Sequence, residues 1–249
     1  MIELTLIGIG TGNPQHLTLQ AVDALNQQDL ILIPNKGETK DDLAGLRREI
    51  CAQTLRSDGP KIVEFQLPVR DEATKDYRKR VDDWHDEIAE IWLQNIRAHL
   101  PEGGKVGFLV WGDPSLYDST MRIADRLHRV TELDTRVIPG ITSIQALTAG
   151  HVIPLNEING PVVITTGRQI RDAGWPEGAT SVVVMLDGAC SFQHLDAEGV
   201  QIWWSAFAGM PQEITLSGAL SEVGEKIIQT RAEARADHGW IMDIYLLRR

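Results

Sequence analysis

Apolar residues in the first half of the chain fall into short runs separated by stretches with helical spacing. Leu4 to Ile9, Leu30 to Ile33, Lys61 to Phe65, Val106 to Val110 and Thr135 to Ile138 read as strands. Runs this short and this apolar suit a parallel sheet covered on both faces. Leu30 to Ile33 is expected to stop at Pro34, which has no N–H for a ladder. Between the runs, Leu17 to Gln27, Asp41 to Leu55, Asp71 to Leu100, Ser119 to Arg129 and Ser143 to Ala149 read as helices. Leu17, Ala21, Ala24 and Leu25 share one face of the first, and Thr18 is placed to cap it. In the longest, Tyr77, Val81, Trp84, Ile88, Ile91 and Trp92 recur at helical spacing with charges between them. That is an amphipathic helix whose aromatic stripe packs into a core.

The pattern changes after His151-Val152-Ile153-Pro154. Strand runs Val162 to Thr166, Ser181 to Met185 and Gln201 to Ala206 follow, then a helix from Ser221 to Arg235 and a strand from Trp240 to Leu247. Helices become fewer and turns more frequent. The expected architecture is therefore α/β in two domains. Residues 1–153 form an N-terminal parallel sheet with helices on both faces, and residues 154–249 a smaller mixed α/β domain.

Three loops carry the candidate chemistry. They read Gly8-Ile9-Gly10-Thr11-Gly12-Asn13-Pro14, Trp111-Gly112-Asp113-Pro114-Ser115-Leu116-Tyr117, and Pro139-Gly140-Ile141-Thr142-Ser143. Each follows a strand run and precedes a helix, the position at which open α/β sheets bind ligands. The first loop invites a dinucleotide reading, but Asn13 stands where the third glycine of that fingerprint belongs. No acid follows the second strand, which ends Ile33-Pro34-Asn35-Lys36. A phosphate-binding P-loop is no better, because Gly104-Lys105 is followed by Val106. In the second loop Pro114 restricts Asp113 to extended backbone, so Asp113 presents its carboxylate at a strand end or simply caps a turn. Thr142 and Ser143 either meet a ligand or cap the next helix.

Composition narrows this further. A formal charge of -11 and the lack of a Lys/Arg cluster speak against a nucleic-acid partner. Two isolated cysteines, Cys51 and Cys190, indicate neither a disulfide framework nor a thiolate zinc site. The seven histidines show no metal-ligand spacing, so no metal is expected. His151, just past the third loop, is the histidine best placed to lie near a site. No signal peptide and no membrane-length apolar stretch is present, so a cytoplasmic protein without a membrane partner is expected.

Together the motifs resemble the tetrapyrrole methylase family. The first loop with Leu17-Thr18 behind it, the Gly-Asp-Pro-Ser-Leu-Tyr loop and the Pro-Gly-Ile-Thr-Ser loop carry the likeness. Val183-Val184-Met185-Leu186, and Ala208-Gly209-Met210-Pro211-Gln212-Glu213 followed by Gly218-Ala219-Leu220, extend it through the second domain. Thr11 stands where many members have proline, Asn13 where many have aspartate, and Gly209-Met210 replaces Gly-Thr. The resemblance implies an S-adenosylmethionine-dependent methyltransferase of corrin or sirohaem synthesis, S-adenosylhomocysteine as product, a cofactor cleft between the domains, and a homodimer. It implies that Gly10 and Thr11 contact the cofactor, and that Trp111, Gly112, Asp113 and Leu116 of the second loop, with Thr142 and Ser143, hold its amino-acid and ribose parts. Met185, Leu186, Ala208 and Gly209 would pack around the adenine.

Within the family, Leu30 to Gly37, Asp42 to Cys51 and Val110 to Ser119 are most similar to the members that methylate a precorrin and remove its acetyl group. Asp113 and Tyr117 are the candidates for a catalytic role in that step. A polycarboxylate substrate on an acidic protein needs local partners, for which Asn35, Lys36, Arg122, Arg168 and Arg171 are the candidates. Methylation at another ring position, a protein acceptor and a cofactor-binding sensor stay open as alternatives.

Overall fold

The computed structural model describes residues 1–35, 42–69 and 76–249. The chain divides into two compact units, Met1–Ile141 and Thr142–Arg249.

The first unit contains β1 (Ile2–Gly8), α1 (Leu19–Asn26), β2 (Leu30–Asn35), α2 (Asp42–Thr54), β3 (Lys61–Gln66), α3 (Tyr77–His99), β4 (Gly104–Val110), α4 (Thr120–His128) and β5 (Leu133–Ile138). The strands form one parallel sheet in the order β3-β2-β4-β1-β5. Alternate side chains of a strand point to opposite faces. Leu4, Leu6, Leu32, Val106 and Phe108 therefore meet Ile88, Trp92 and Ile96 of α3 and Leu127 of α4. Ile7, Ile31, Ile33 and Leu109 face the other way, against Ala21 and Leu25 of α1 and Ile50 and Cys51 of α2. Trp92 stacks on Phe108 with ring centroids 3.9 Å apart, so the aromatic stripe of α3 is core.

This arrangement creates crevices. β1 and β2 are followed by helices on one face, β3 and β4 by helices on the other. β4 stands between β1 and β2, so the following chain departs in opposite directions on each side of it. Such switch points open crevices at the carboxyl ends of the strands.

Local signals explain most of the element boundaries. The Thr18 hydroxyl accepts from Ala21 N at 3.0 Å, so α1 starts at Leu19 and not at Leu17. Asp76 caps α3, accepting from Arg78 N at 2.8 Å and Lys79 N at 3.2 Å. Parts of the expected helices at 41 and 71–75 lie outside the described residues. One expectation fails: β2 does not stop at Pro34 but runs through it to Asn35. Its pairing with β4 ends at Leu32, while pairing with β3 continues to Asn35. Proline is tolerated there because only one neighbour remains.

The second unit contains α5 (Ser143–His151), β6 (Val162–Thr166), α6 (Gly167–Ala173), β7 (Ser181–Met185), β8 (Gln201–Ala206), β9 (Ile214–Ala219), α7 (Leu220–His238) and β10 (Asp243–Arg248). Its sheet has the order β6-β7-β10-β8-β9. β6 and β7 are parallel; β10 runs antiparallel to both β7 and β8, and β9 antiparallel to β8. The division after Ile141 comes earlier than the expected boundary at 153/154. The reason is α5, which packs on β8, β9 and β10. α6 and β9 are additions to the expected elements.

Candidate functional site

In the first unit the three glycine loops touch backbone to backbone. Gly10 N donates to Gly112 O at 3.3 Å, and Gly112 N donates to Gly10 O at 2.8 Å, an isolated bridge joining the loops after β1 and β4. A Cβ on Gly8 would fall 2.6 Å from Gly140 N, and one on Gly140 would overlap the Gly112 carbonyl oxygen. Gly112 itself has φ +65, a left-handed conformation, and the space beside it is open. The glycines are thus needed for close approach at Gly8 and Gly140, and for backbone shape at Gly112.

Asp113 ties the second loop to the third. Its Oδ2 accepts from Gly140 N at 2.9 Å, and its Oδ1 accepts from Ser115 N at 2.8 Å and from the Ser115 hydroxyl. Burial would raise its pKa, but the hydrogen bonds from Ser115 and Gly140 outweigh that and hold it below the ordinary 3.8. A carboxylate so held is a weak proton acceptor and a good clamp. Because the folded-state pKa is lowered, the clamp's contribution is complete above 3.8 and is lost as pH falls through the folded value. Asp113→Asn should therefore melt below the parent protein at pH 7, with the gap closing as both are titrated towards pH 3. A gap that stays constant with pH would remove the carboxylate charge from the explanation.

The other candidates of the first unit each have their own surroundings. Thr11 is buried, with its hydroxyl 2.8 Å from His16 Nδ1. Trp111 and Leu116 are partly buried. Tyr117 is exposed with left-handed backbone, φ 50, and burial of its hydroxyl pushes the phenol above its ordinary 10.0. It is thus a neutral hydrogen-bond donor at pH 7.

In the second unit, Thr142 caps α5. Its hydroxyl accepts from Ile144 N at 3.2 Å, and Gln145 Oε1 accepts from Thr142 N at 3.0 Å, a reciprocal capping box. Ser143 is the first helical residue. His151 is taken up within the unit: its Nε2 lies 3.0 Å from Trp204 O and 3.2 Å from Ser205 Oγ. A carbonyl only accepts, so Nε2 carries the proton and ties α5 to β8.

Met185 ends β7, and Leu186 follows in left-handed backbone, φ 54, with 67% of its surface exposed. Asp187 holds that turn. Its carboxylate accepts from Ala189 N at 3.0 Å, Ser191 N at 2.5 Å, Ser191 Oγ at 2.8 Å and Tyr245 OH at 2.6 Å. Burial, and the Asp187 charge after it, push the Tyr245 phenol far above its usual range, so it stays a donor. Arg231 donates to Asp187 O at 3.2 Å and pairs with Asp243 at 2.9 Å, while Trp204 Nε1 donates to Asp243 at 3.0 Å. Sequence reasoning missed this buried network; Asp187-Gly188 directly after an apolar strand was its one visible sign. The turn after β8 is similar, with Phe207 at φ 51, Ala208 buried and Gly209 at φ 77.

The residues expected to meet the substrate come from both units. Asn35 Nδ2 donates to Glu64 at 3.2 Å. Lys36 lies outside the described residues. Arg122 and Arg168 are exposed, with Arg122 donating to Asp118 O at 2.8 Å, and Arg171 pairs with Asp172 at 2.8 Å. Among the described residues no group of His, Cys, Asp and Glu is arranged to hold a metal.

Residues 3–224 match the family model for tetrapyrrole (corrin/porphyrin) methylases. The chain belongs to the tetrapyrrole methylase family. Among tetrapyrrole methylases it is 49% identical to precorrin-6A synthase [deacetylating] of a Sinorhizobium species, over 100% of this chain and 96% of that one. It is 34% identical to the precorrin-2 C(20)-methyltransferase of a Sinorhizobium species, over 60% of this chain and 59% of the relative. A solved cobalamin synthesis related protein (CobF) from Corynebacterium diphtheriae superposes with TM-score 0.83 and 38% identity, covering 100% and 99% of the two chains. The uroporphyrin-III C-methyl transferase of Thermus thermophilus, solved in complex with S-adenosyl homocysteine, shares the fold. Its TM-score is 0.61 at 18% identity, covering 99% and 97%. The parallel sheet with helices on both faces, joined to a mixed second sheet, is the tetrapyrrole methylase fold.

Proposed function

We propose that the chain methylates precorrin-5 at C1 with S-adenosylmethionine and releases acetate, giving precorrin-6A in cobalamin biosynthesis. The carrying observation is the 49% identity that runs through the whole chain to a precorrin-6A synthase [deacetylating]. The C(20)-methyltransferase relative matches only 60% of the chain. A homodimeric, cytoplasmic enzyme is part of the same reading; among the described residues no helix is long and apolar enough to cross a membrane.

The residues suit the cofactor. The open space beside Gly112 lets backbone approach a ligand, and Leu186 offers an exposed apolar face. The cofactor contributes a methyl group already activated on a sulfonium. The Gly10–Gly112 bridge and the Asp113 clamp hold rigid the loops assigned to the amino-acid and ribose parts. Met185, Leu186, Ala208 and Gly209 provide apolar and backbone surface for the adenine. Rigid positioning of two reactants is itself worth several powers of ten in rate. Acetyl removal asks more. Water adds to the acetyl carbonyl, the bond from that carbon to the ring breaks, and its electron pair enters the macrocycle. Acetic acid leaves and gives up its proton. Asp113 serves this step by fixing the loop that carries Tyr117, which donates rather than accepts. Arg122 and Arg168 supply local positive charge against an overall charge of -11.

Incubation with precorrin-5 and S-adenosylmethionine, followed by mass spectrometry, should show a methyl gained and an acetyl lost. Methyl gain with the acetyl retained would overturn the deacetylating assignment, and methylation of precorrin-2 would favour the C(20) reading.

A further inference from the structure

A cavity in the first unit is used by none of the loops described above. β2 leaves β4 after the Leu32–Phe108 pair, so β4 continues without that neighbour. Arg47 of α2 closes the gap: its Nε donates to Leu109 O at 2.9 Å and its Nη1 to Leu43 O at 3.3 Å. Beyond it lies a cavity of about 150 Å³. Trp92 and Phe108 form an apolar wall, while Arg47, Asp118 and Thr120 bring polar atoms to the lining. Asp118 directly follows Tyr117, so this wall continues the second glycine loop.

The polar atoms are unevenly satisfied. Among the described residues Arg47 has no ion pair, and its Nη2 has no hydrogen-bond partner. Asp118, the acid nearest to it electrostatically, has Oδ1 occupied by Thr120 N at 2.6 Å and by the Thr120 hydroxyl. Burial lowers the Arg47 pKa to about 10 against the pull of Asp118, so it stays cationic at neutral pH. Trp92 Nε1 is buried with no partner either. A spare guanidinium donor beside aromatic rings suits a ligand with an anionic end and an apolar end. One cation with an acid close by favours a monoanion. The volume is that of a cavity able to hold benzene, ample for a few heavy atoms.

We propose that this cavity binds a small carboxylate, the carboxylate on Arg47 and the carbon end against Trp92 and Phe108. Naming its source rests on the reaction proposed above, which offers two: the acetate that leaves, or an acetate side chain of the macrocycle. The test uses the ¹⁵N-labelled full chain titrated with sodium acetate at constant ionic strength, read at the indole N–H of Trp92, which is identified with Trp92→Phe. A saturable shift with acetate, absent with the neutral isostere acetamide, is expected. Arg47→Met should weaken acetate binding by about tenfold or more, since a charge-assisted hydrogen bond is lost. Arg47→Lys should weaken it less. If Arg47→Met does not fold, Arg47→Lys and the acetamide comparison still decide. No saturable shift, equal shifts for acetate and acetamide, or affinity unchanged in the Arg47 variants would overturn the proposal. Acetate that still binds when the macrocycle is saturating marks a pocket for the leaving group; acetate displaced by the macrocycle marks a side-chain pocket. The titration needs neither cofactor nor precorrin-5, so failure of methyl transfer would leave this pocket standing, and a silent titration would leave the methyltransferase reading intact.

Discussion

Gly140→Ala is expected to lower the melting temperature by roughly 6–12 °C and to weaken S-adenosylhomocysteine binding by about a hundredfold. The added methyl would overlap the Gly112 carbonyl oxygen and stand 2.9 Å from the Gly8 Cα. All of these are backbone atoms at strand ends, so no rotamer change relieves the clash. Overpacking at a rigid site costs about 3 kcal/mol. In a chain of this size each kcal/mol shifts the midpoint by about 2–4 °C. The same energy, if felt in the loops proposed to hold the cofactor, is about a hundredfold in affinity. Gly112→Ala is the matched control. Its methyl meets nothing within 4 Å, and only the left-handed φ of +65 is penalised, by about 1–2 kcal/mol. Calorimetric melting and ligand titration of both variants should rank Gly140→Ala as the more damaging to stability. Equal losses would show that backbone shape, not close approach, dominates the loop platform.

The second large effect belongs to the other unit. Arg231→Met should destabilise it by about 3–5 kcal/mol, the loss typical of a buried pair deprived of one partner. Arg231 and Asp243 are both buried, and the arginine also donates to Asp187 O. Without it the Asp243 carboxylate keeps only Trp204 Nε1 of the donors described above. Burial already pushes the Asp243 carboxyl upward, so it would take up a proton in place of its lost partner. Arg231→Met with Asp243→Leu should recover most of the loss, because two apolar side chains leave no stranded charge. Hydrogen exchange across β8 and β10 reads the unit directly. A double variant no better than the single one would mean that the bond to Asp187 O, not the ion pair, carries the stability.

Sequence patterning revealed those elements whose environment is simple. Leu30 to Ile33 and Val106 to Val110 are apolar throughout because helices cover both faces of their sheet, and the structure places strands there. β9 escaped because Ile214–Ala219 is mostly half-exposed and carries Gly218 at φ 154. α6 escaped because it begins at Gly167 with no side-chain cap and lasts barely two turns. The glycine loops were visible as loops at strand ends, yet their mutual contact was not. A glycine kept for close approach looks, in sequence, like a glycine kept for shape. Arg47 was invisible for another reason. On an amphipathic helix an arginine reads as part of the wet face, and only the parting of β2 from β4 turns it towards a cavity.

The strand order of the second sheet has a consequence for synthesis. Its central strand, β10, is the last of its five to be made, and it joins β6-β7 to β8-β9. On the ribosome those two halves have no strand between them until β10 emerges. Residues such as Trp204 and Val184, which flank Tyr245 in the finished sheet, must wait unsheltered while α7 is translated. In the first unit the central strand β4 also follows its neighbours β1 and β2, but the last strand made there, β5, is an edge strand that completes the sheet before the second unit begins. Folding during translation should therefore proceed in two separated events, with the second tied to the arrival of β10.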